Sequence, residues 1–201
     1  MDFTPSEAQQ AVVDLSGRIM GDHLDMDRHL AVETAGGWFD RELWGDLAAA
    51  GLLGIALGVD VGGSGLDAVA LALLLGVQGS HVAPLPLLPS SVAALIVDRH
   101  GSDEQRQRLL PDVVTGTTIL TVAVQEYLDD RLTQPSTTFE DGLLHGTKVV
   151  VEHLEVLLAV LGAAKGQRGW HEGVARRGMG WGCASKRGGV RGREGNTSGR
   201  D

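Results

Sequence analysis

The amino-acid sequence predicts a mainly α chain. It reads as a helical N-terminal domain over residues 1–116, an incomplete β-domain over 117–161, and a disordered Gly/Arg-rich tail over 162–201. Three observations lead there. Apolar residues recur at helical spacing through the first half of the chain. At Gly116 that period stops, and Thr117 to Val124, TTILTVAV, is β-branched and uncharged. Near Leu161 the composition changes again. Residues 1–161 carry a net charge of −15, while residues 162–201 carry +6 and hold 12 of the 29 glycines.

Composition narrows the function before any motif is read. A net charge of −9 argues against nucleic acid as a partner of the whole chain. The tail's Gly/Arg run resembles RNA-contacting segments, but it lacks interleaved Phe or Tyr. The single cysteine, Cys183, cannot close an internal disulfide, which fits a reducing compartment. Asp2 and Glu7 stand where a signal peptide would be basic, and no apolar run approaches membrane-span length. A soluble cytoplasmic protein is expected.

The elements follow in order. Thr4 is expected to cap the first helix, with Pro5 at its first position and Glu7 closing a capping box. Ala8, Ala11, Val12, Leu15 and Ile19 form its apolar stripe. Asp22, His23, Asp25, Asp27 and His29 are ligand-type residues, but their spacing matches no metal motif and reads as a solvated helix face. Asp40 caps a helix that turns Leu43, Trp44, Leu47 and Ala48 inward, and Gly51 closes it. The cluster Gly62-Gly63-Ser64-Gly65 lacks the Lys-Ser/Thr of a phosphate loop and the third glycine of a dinucleotide fingerprint. It reads as an interhelical turn.

Ala68 to Val77, AVALALLLGV, is expected to be a core helix buried on most sides, with Leu71, Leu73, Leu74 and Leu75 dominating stability. Pro84, Pro86 and Pro89 predict an extended segment before a short helix over Ser90 to Arg99. Ser102 and Gln105 predict a capping box, and Asp103 and Glu104 sit favourably in the first turn. Pro111 predicts a kink or restart, and Gly116 a left-handed helix end. Asp141-Gly142, between Thr138-Phe139 and Leu143-Leu144, predicts a hairpin.

Several of these stretches, taken together, resemble the acyl-CoA dehydrogenase family. They are Gly101-Ser102-Asp103-Glu104-Gln105-Arg106 with Leu109-Leu110-Pro111, and a strand ending at Glu126. Others are Phe39 with Leu43-Trp44, Ala48-x-x-Gly51-Leu52-Leu53-Gly54, Gly62-Gly63-Ser64-Gly65-Leu66, and Gly146-Thr147-Lys148. The resemblance covers about residues 3 to 160. It departs at Gly58 and Val61, where the family has Pro and Tyr, and at Gln125 and Tyr127, which flank Glu126 in place of Thr and Pro.

The resemblance implies the fold of that family's N-terminal helical domain, with the start of its middle β-domain. It implies FAD as cofactor, with Val122, Val124, Gln125, Glu126, Val150 and Val151 at flavin-facing positions. It places the proline-rich segment near an acyl-chain pocket. It implies α,β-dehydrogenation of acyl-CoA thioesters in fatty-acid or sterol side-chain breakdown. A carboxylate removes the α-proton while the flavin accepts the β-hydride. The family takes that carboxylate from a C-terminal helical bundle with no counterpart in residues 162–201, so no catalytic residue is assigned, and Glu126 belongs to the flavin side. Glu152 falls in the flavin-wall segment, where a carboxylate is unfavourable unless it points away. The expectation is a truncated family member, inactive alone, with a tail read out of the ancestral frame. The alternative is a non-catalytic partner subunit of a heteromeric enzyme. Acyl-CoA, a second copy or a second family subunit are the partners so implied.

Overall fold

The computed structural model describes residues 4–23, 25–34, 39–126, 136–140, 143–149, 151, 159–166 and 169–175. Trp38, Tyr127 to Pro135, the Asp141-Gly142 turn, Val150, Glu152 and everything after Ala175 lie outside them. The chain divides into two units, Met1–Thr118 and Ile119–Asp201.

Six helices build the first unit: α1 (Glu7–His23), α2 (Met26–Thr34), α3 (Arg41–Ala49), α4 (Ala68–Ser80), α5 (Leu87–His100) and α6 (Asp103–Val114). The α1 terminus corrects the sequence reading. The helix starts at Glu7 rather than at Pro5, and Ser6 makes reciprocal capping bonds: its hydroxyl accepts the Gln9 N–H at 3.2 Å, and its own N–H donates to Gln9 Oε1 at 2.9 Å. This Ser-x-x-Gln box, two residues further along than the expected Thr-x-x-Glu box, satisfies orphan donors of the first turn in the same reciprocal way. The buried line of α1 is Val12, Ser16 and Met20. Ser16 is tolerated there because its hydroxyl donates to the Val12 carbonyl at 2.7 Å.

Asp40 caps α3 as expected, accepting the Leu43 N–H at 3.1 Å, and Leu43, Trp44 and Leu47 are buried. Helix α4 departs from expectation. Ala70, Leu71 and Leu74 are buried, but Leu73 and Leu75 are half-buried and Val69 is 54% exposed. One face meets the core and the other does not, despite uniform apolarity. Asp67 caps α4 through the Ala70 N–H at 2.9 Å.

The proline-rich segment is also shorter than predicted. Helix α5 begins at Leu87 and takes Pro89 into its first turn, where N–H groups have no intrahelical partner and a proline forfeits nothing. Helix α6 has the full Ser102–Gln105 capping box and runs through Pro111 without restarting. Only one donor is lost at the proline, and the Thr115 N–H still bonds to the Pro111 carbonyl at 3.1 Å. Gly116 then adopts φ +73°.

The Gly62–Gly65 cluster is an interhelical turn. Gly63, Ser64, Gly65 and Leu66 donate their N–H groups to the carbonyls of Gly58, Gly54, Leu57 and Ile55 at 2.8 to 3.0 Å. Those donors are spent inside the turn and cannot cradle a phosphate. The core of the unit is Met20, Leu43, Leu47, Leu74, Leu87, Val97, Leu109, Leu110 and Val113, each at most 2% exposed. Each contributes about 1.5–3 kcal/mol of transfer free energy.

The second unit is a five-stranded sheet: β1 (Leu120–Ala123), β2 (Thr138–Glu140), β3 (Leu143–His145), β4 (Ala159–Gly166) and β5 (Gly169–Ala175). Strands β2 and β3 pair antiparallel with Phe139 opposite Leu144, as the hairpin reading predicts. The order is β1-β4-β2-β3, with β5 antiparallel to β4. In the Gly146-Thr147-Lys148 segment, Lys148 forms an antiparallel bridge with Glu126.

The tail reading needs correction at its start. Residues 159–166 and 169–175 are strands, although the composition predicted disorder from 162. Pairing is a backbone property, and β4 gains a parallel partner in β1 from Leu120–Ala159 to Ala123–Gly162. Glycine-rich sequence can therefore join a ladder whose partner strand is already present.

Candidate flavin-side site

The candidate site is the C-terminal end of β1. Strand alternation sorts its residues. Leu120, Thr121 and Ala123 are buried, Val122 is half-buried, and Val124 is 45% exposed. Gln125 is exposed, and its carbonyl accepts the Val149 N–H at 3.0 Å. Val151 is half-buried.

Glu126 behaves differently from its neighbours. Its side chain is 5% exposed and turned inward. Oε1 accepts from Lys148 Nζ at 2.7 Å, the Thr137 N–H at 2.9 Å and the Thr137 hydroxyl at 2.5 Å. Oε2 accepts from the Ser136 N–H at 2.6 Å and from the Ser136 hydroxyl. Burial alone would push this carboxyl up. The Lys148 ammonium and the Ser136 and Thr137 donors outweigh it and hold the group well below the usual carboxylate range. A carboxylate with five donors has no spare basicity. It pins residues 136–137 and 148 to the end of β1, and its charge is neutralised away from the surface that Val124 and Gln125 form.

The sequence reading singled out Glu126 but not these partners. Lys148 carried the only signal, as the lysine of the Gly-x-Lys segment. Ser136 and Thr137 carried none, because their role depends on a contact ten or eleven residues away in sequence.

The other sequence-picked residues do not converge. Among the described residues, no group of three or more His, Cys, Asp or Glu side chains could hold a metal ion. His23 pairs with Asp46 at 2.5 Å, Asp25 accepts the Arg28 N–H, and Arg28 binds Asp40 and Glu42. Near the proline-rich segment, a small pocket is lined by Leu57, Leu71, Ser91, Ala94 and Leu95. It has room for little more than a water molecule, so it is no acyl-chain tunnel as it stands. No helix among the described residues is long and apolar enough to cross a membrane.

The donor chemistry can be tested against FAD. An exposed valine and an amide side chain at a strand end, with the carboxylate withdrawn, suit one wall of an isoalloxazine. The pyrophosphate and adenine need cations or helix N-termini. Among the described residues of the second unit there is no helix, and Lys148 is committed to Glu126. The end of β1 is compatible with a flavin wall, and Lys148 is not free to neutralise a pyrophosphate.

A helical unit whose capped α6 leads along the chain into a strand that ends at a buried glutamate is the pattern to set beside known proteins. Residues 6–117 match the acyl-CoA dehydrogenase N-terminal domain, and the chain belongs to the acyl-CoA dehydrogenase family. It is 32% identical over 170 residues to the acyl-CoA dehydrogenase FadE27 of Mycobacterium tuberculosis, covering 84% of this chain and 46% of that protein. It is 30% identical over 160 residues to FadE28 of the same organism, covering 77% and 40%. Among solved structures it resembles the Tcur3481-Tcur3483 steroid ACAD G363A variant. That match has a TM-score of 0.80 and 40% identity, over 86% of this chain and 49% of the other. It also resembles the ChsE4-ChsE5 complex from Mycobacterium tuberculosis, with a TM-score of 0.81 and 29% identity over 89% and 50%. The chain spans about half the length of the relatives it matches.

Proposed function

We propose that these 201 residues supply the N-terminal, flavin-side half of an acyl-CoA dehydrogenase site and are inactive alone. The observation that carries this is the Glu126 cluster. The carboxylate nearest the flavin-facing positions accepts from Lys148, Ser136 and Thr137, so it cannot remove an α-proton. The base must come from elsewhere. Flavin, when bound, accepts the hydride, and the part of this chain is to present Val122, Val124, Gln125, Val150 and Val151 to it. The substrate class is an acyl-CoA thioester. The 40% identity to a steroid ACAD favours a sterol side-chain thioester over a straight fatty chain.

A second reading is a non-catalytic partner subunit. It is favoured by the paired names of two similar structures, each a combination of two chains. One experiment separates the readings. The purified chain is titrated with FAD, its visible spectrum recorded, and dehydrogenation of acyl-CoA measured alone and with a full-length family subunit. The first reading expects no turnover alone and, in the mixture, none beyond that of the added subunit by itself. The second expects flavin retention and turnover only in the mixture. Turnover by the chain alone would refute both.

A further inference from the structure

Helix α2 is attached to the helical unit in an unusual way. None of its nine residues is buried. Met26 is 80% exposed and Leu30 59%, so its apolar pair, one turn apart, faces solvent. A helix of this length is marginal in water by itself, and burial gives it little support. Its N-terminus is capped by Asp25, whose Oδ1 accepts the Arg28 N–H at 2.8 Å.

What reaches out of α2 is the Arg28 guanidinium. Nε donates to Asp40 Oδ2 at 2.7 Å and Nη2 to Asp40 Oδ1 at 2.9 Å, a two-pronged grip, and Nη2 also meets Glu42 Oε2 at 2.8 Å. The receiving end is rigid. The Asp40 side chain is 2% exposed, caps α3 through the Leu43 N–H, and its own N–H bonds to the Pro84 carbonyl at 3.1 Å. The delivering end is partly open to solvent, with the Arg28 side chain 31% exposed. The guanidinium beside it holds the Asp40 carboxyl below the usual range, which keeps the aspartate charged and the grip intact.

We propose that α2 is a strap, latched to the N-terminus of α3 by Arg28, which opens and closes while the rest of the helical unit stays folded. Opening leaves Asp40 with its Leu43 cap and uncovers the α3 N-terminus. No core side chain moves, because α2 contributes none. The unit can therefore occupy strap-closed and strap-open forms without crossing its global unfolding barrier.

The test is hydrogen exchange of the full chain, read by mass spectrometry, in the unaltered protein and in Arg28→Gln. The amides from His29 to Thr34 are expected to exchange on the order of tenfold or more faster than those of α3 and α6. In Arg28→Gln they should lose residual protection while α4, α5 and α6 keep theirs. Raising the salt concentration should speed exchange in α2 of the unaltered chain and leave α4 unchanged, because the latch is a partly exposed ion pair. Three results would overturn the proposal. One is α2 protection equal to that of α4. Another is an Arg28→Gln chain that loses protection throughout the unit or does not fold. The third is α2 exchange indifferent to salt.

Discussion

The Glu126–Lys148 pair gives the sharpest quantitative expectation. Replacing Lys148 with Met removes a cation 2.7 Å from a carboxylate when both side chains are 5% exposed. The methylene stem is kept, so packing changes little, and the carboxylate is left buried with only the Ser136 and Thr137 donors. Breaking such a pair from one side costs about 3–5 kcal/mol. Removing the charge on both sides, in Glu126→Gln with Lys148→Met, should recover much of that, because no unpaired charge remains. The cost also depends on pH. Glu126 has a depressed pKa, so its contribution is fully present above the unfolded glutamate value of about 4.3 and is lost as pH falls through the folded value. In Lys148→Met the balance shifts toward burial, which pushes the carboxyl up, and acid relieves the stranded charge. The stability difference between the two proteins should therefore shrink as pH drops from 7 toward 3. Urea unfolding, followed by hydrogen exchange at β2 and β3, reads it. A difference that stays constant over that range, or a double variant no better than Lys148→Met, would refute the charge argument.

Other expectations are simpler. Leu47→Ala, at a fully buried site on α3, should cost about 2–5 kcal/mol in chemical denaturation followed by tryptophan fluorescence. Ser102→Ala removes one half of the α6 capping box and should cost about 0.5–2 kcal/mol by thermal melting. Two glycines should respond oppositely. Gly76→Ala, with nothing near its Cβ position inside α4, should stabilise by up to about 1 kcal/mol. Gly116→Ala, at φ +73° with Ala48 Cβ at 2.9 Å and Trp44 Nε1 at 3.1 Å, should destabilise by at least about 1 kcal/mol, and equal melting temperatures for the pair would contradict this.

What could be read in the sequence was what local chemistry decides. The Asp40 and Ser102 caps, the left-handed Gly116 and the β2–β3 hairpin each depend on a few adjacent residues, and each is found where the pattern put it. The α1 start was misread because two overlapping capping boxes compete within a few residues. The α5 start was misread because three prolines look like a break, although one of them fits a first turn. The half-exposed α4 was beyond periodicity, because a uniformly apolar helix does not say which face has a neighbour. At the site, Glu126 was legible through its family position. Its turn inward was not, since it depends on residues brought back by β2 and by the Lys148 bridge.

The turn after α3 has a consequence for anyone engineering this chain. Its four successive N–H groups, from Gly63 to Leu66, are matched to carbonyls between Gly54 and Gly58, and a Cβ at Gly63 would stand 2.2 Å from the Leu57 oxygen. Most surface connections accept a tag, a cut site or an extra residue. Here one inserted residue would put every one of those partnerships out of step at once, so residues 54–66 act as a fixed-length part. Epitope insertions and permuted termini belong elsewhere in the helical unit.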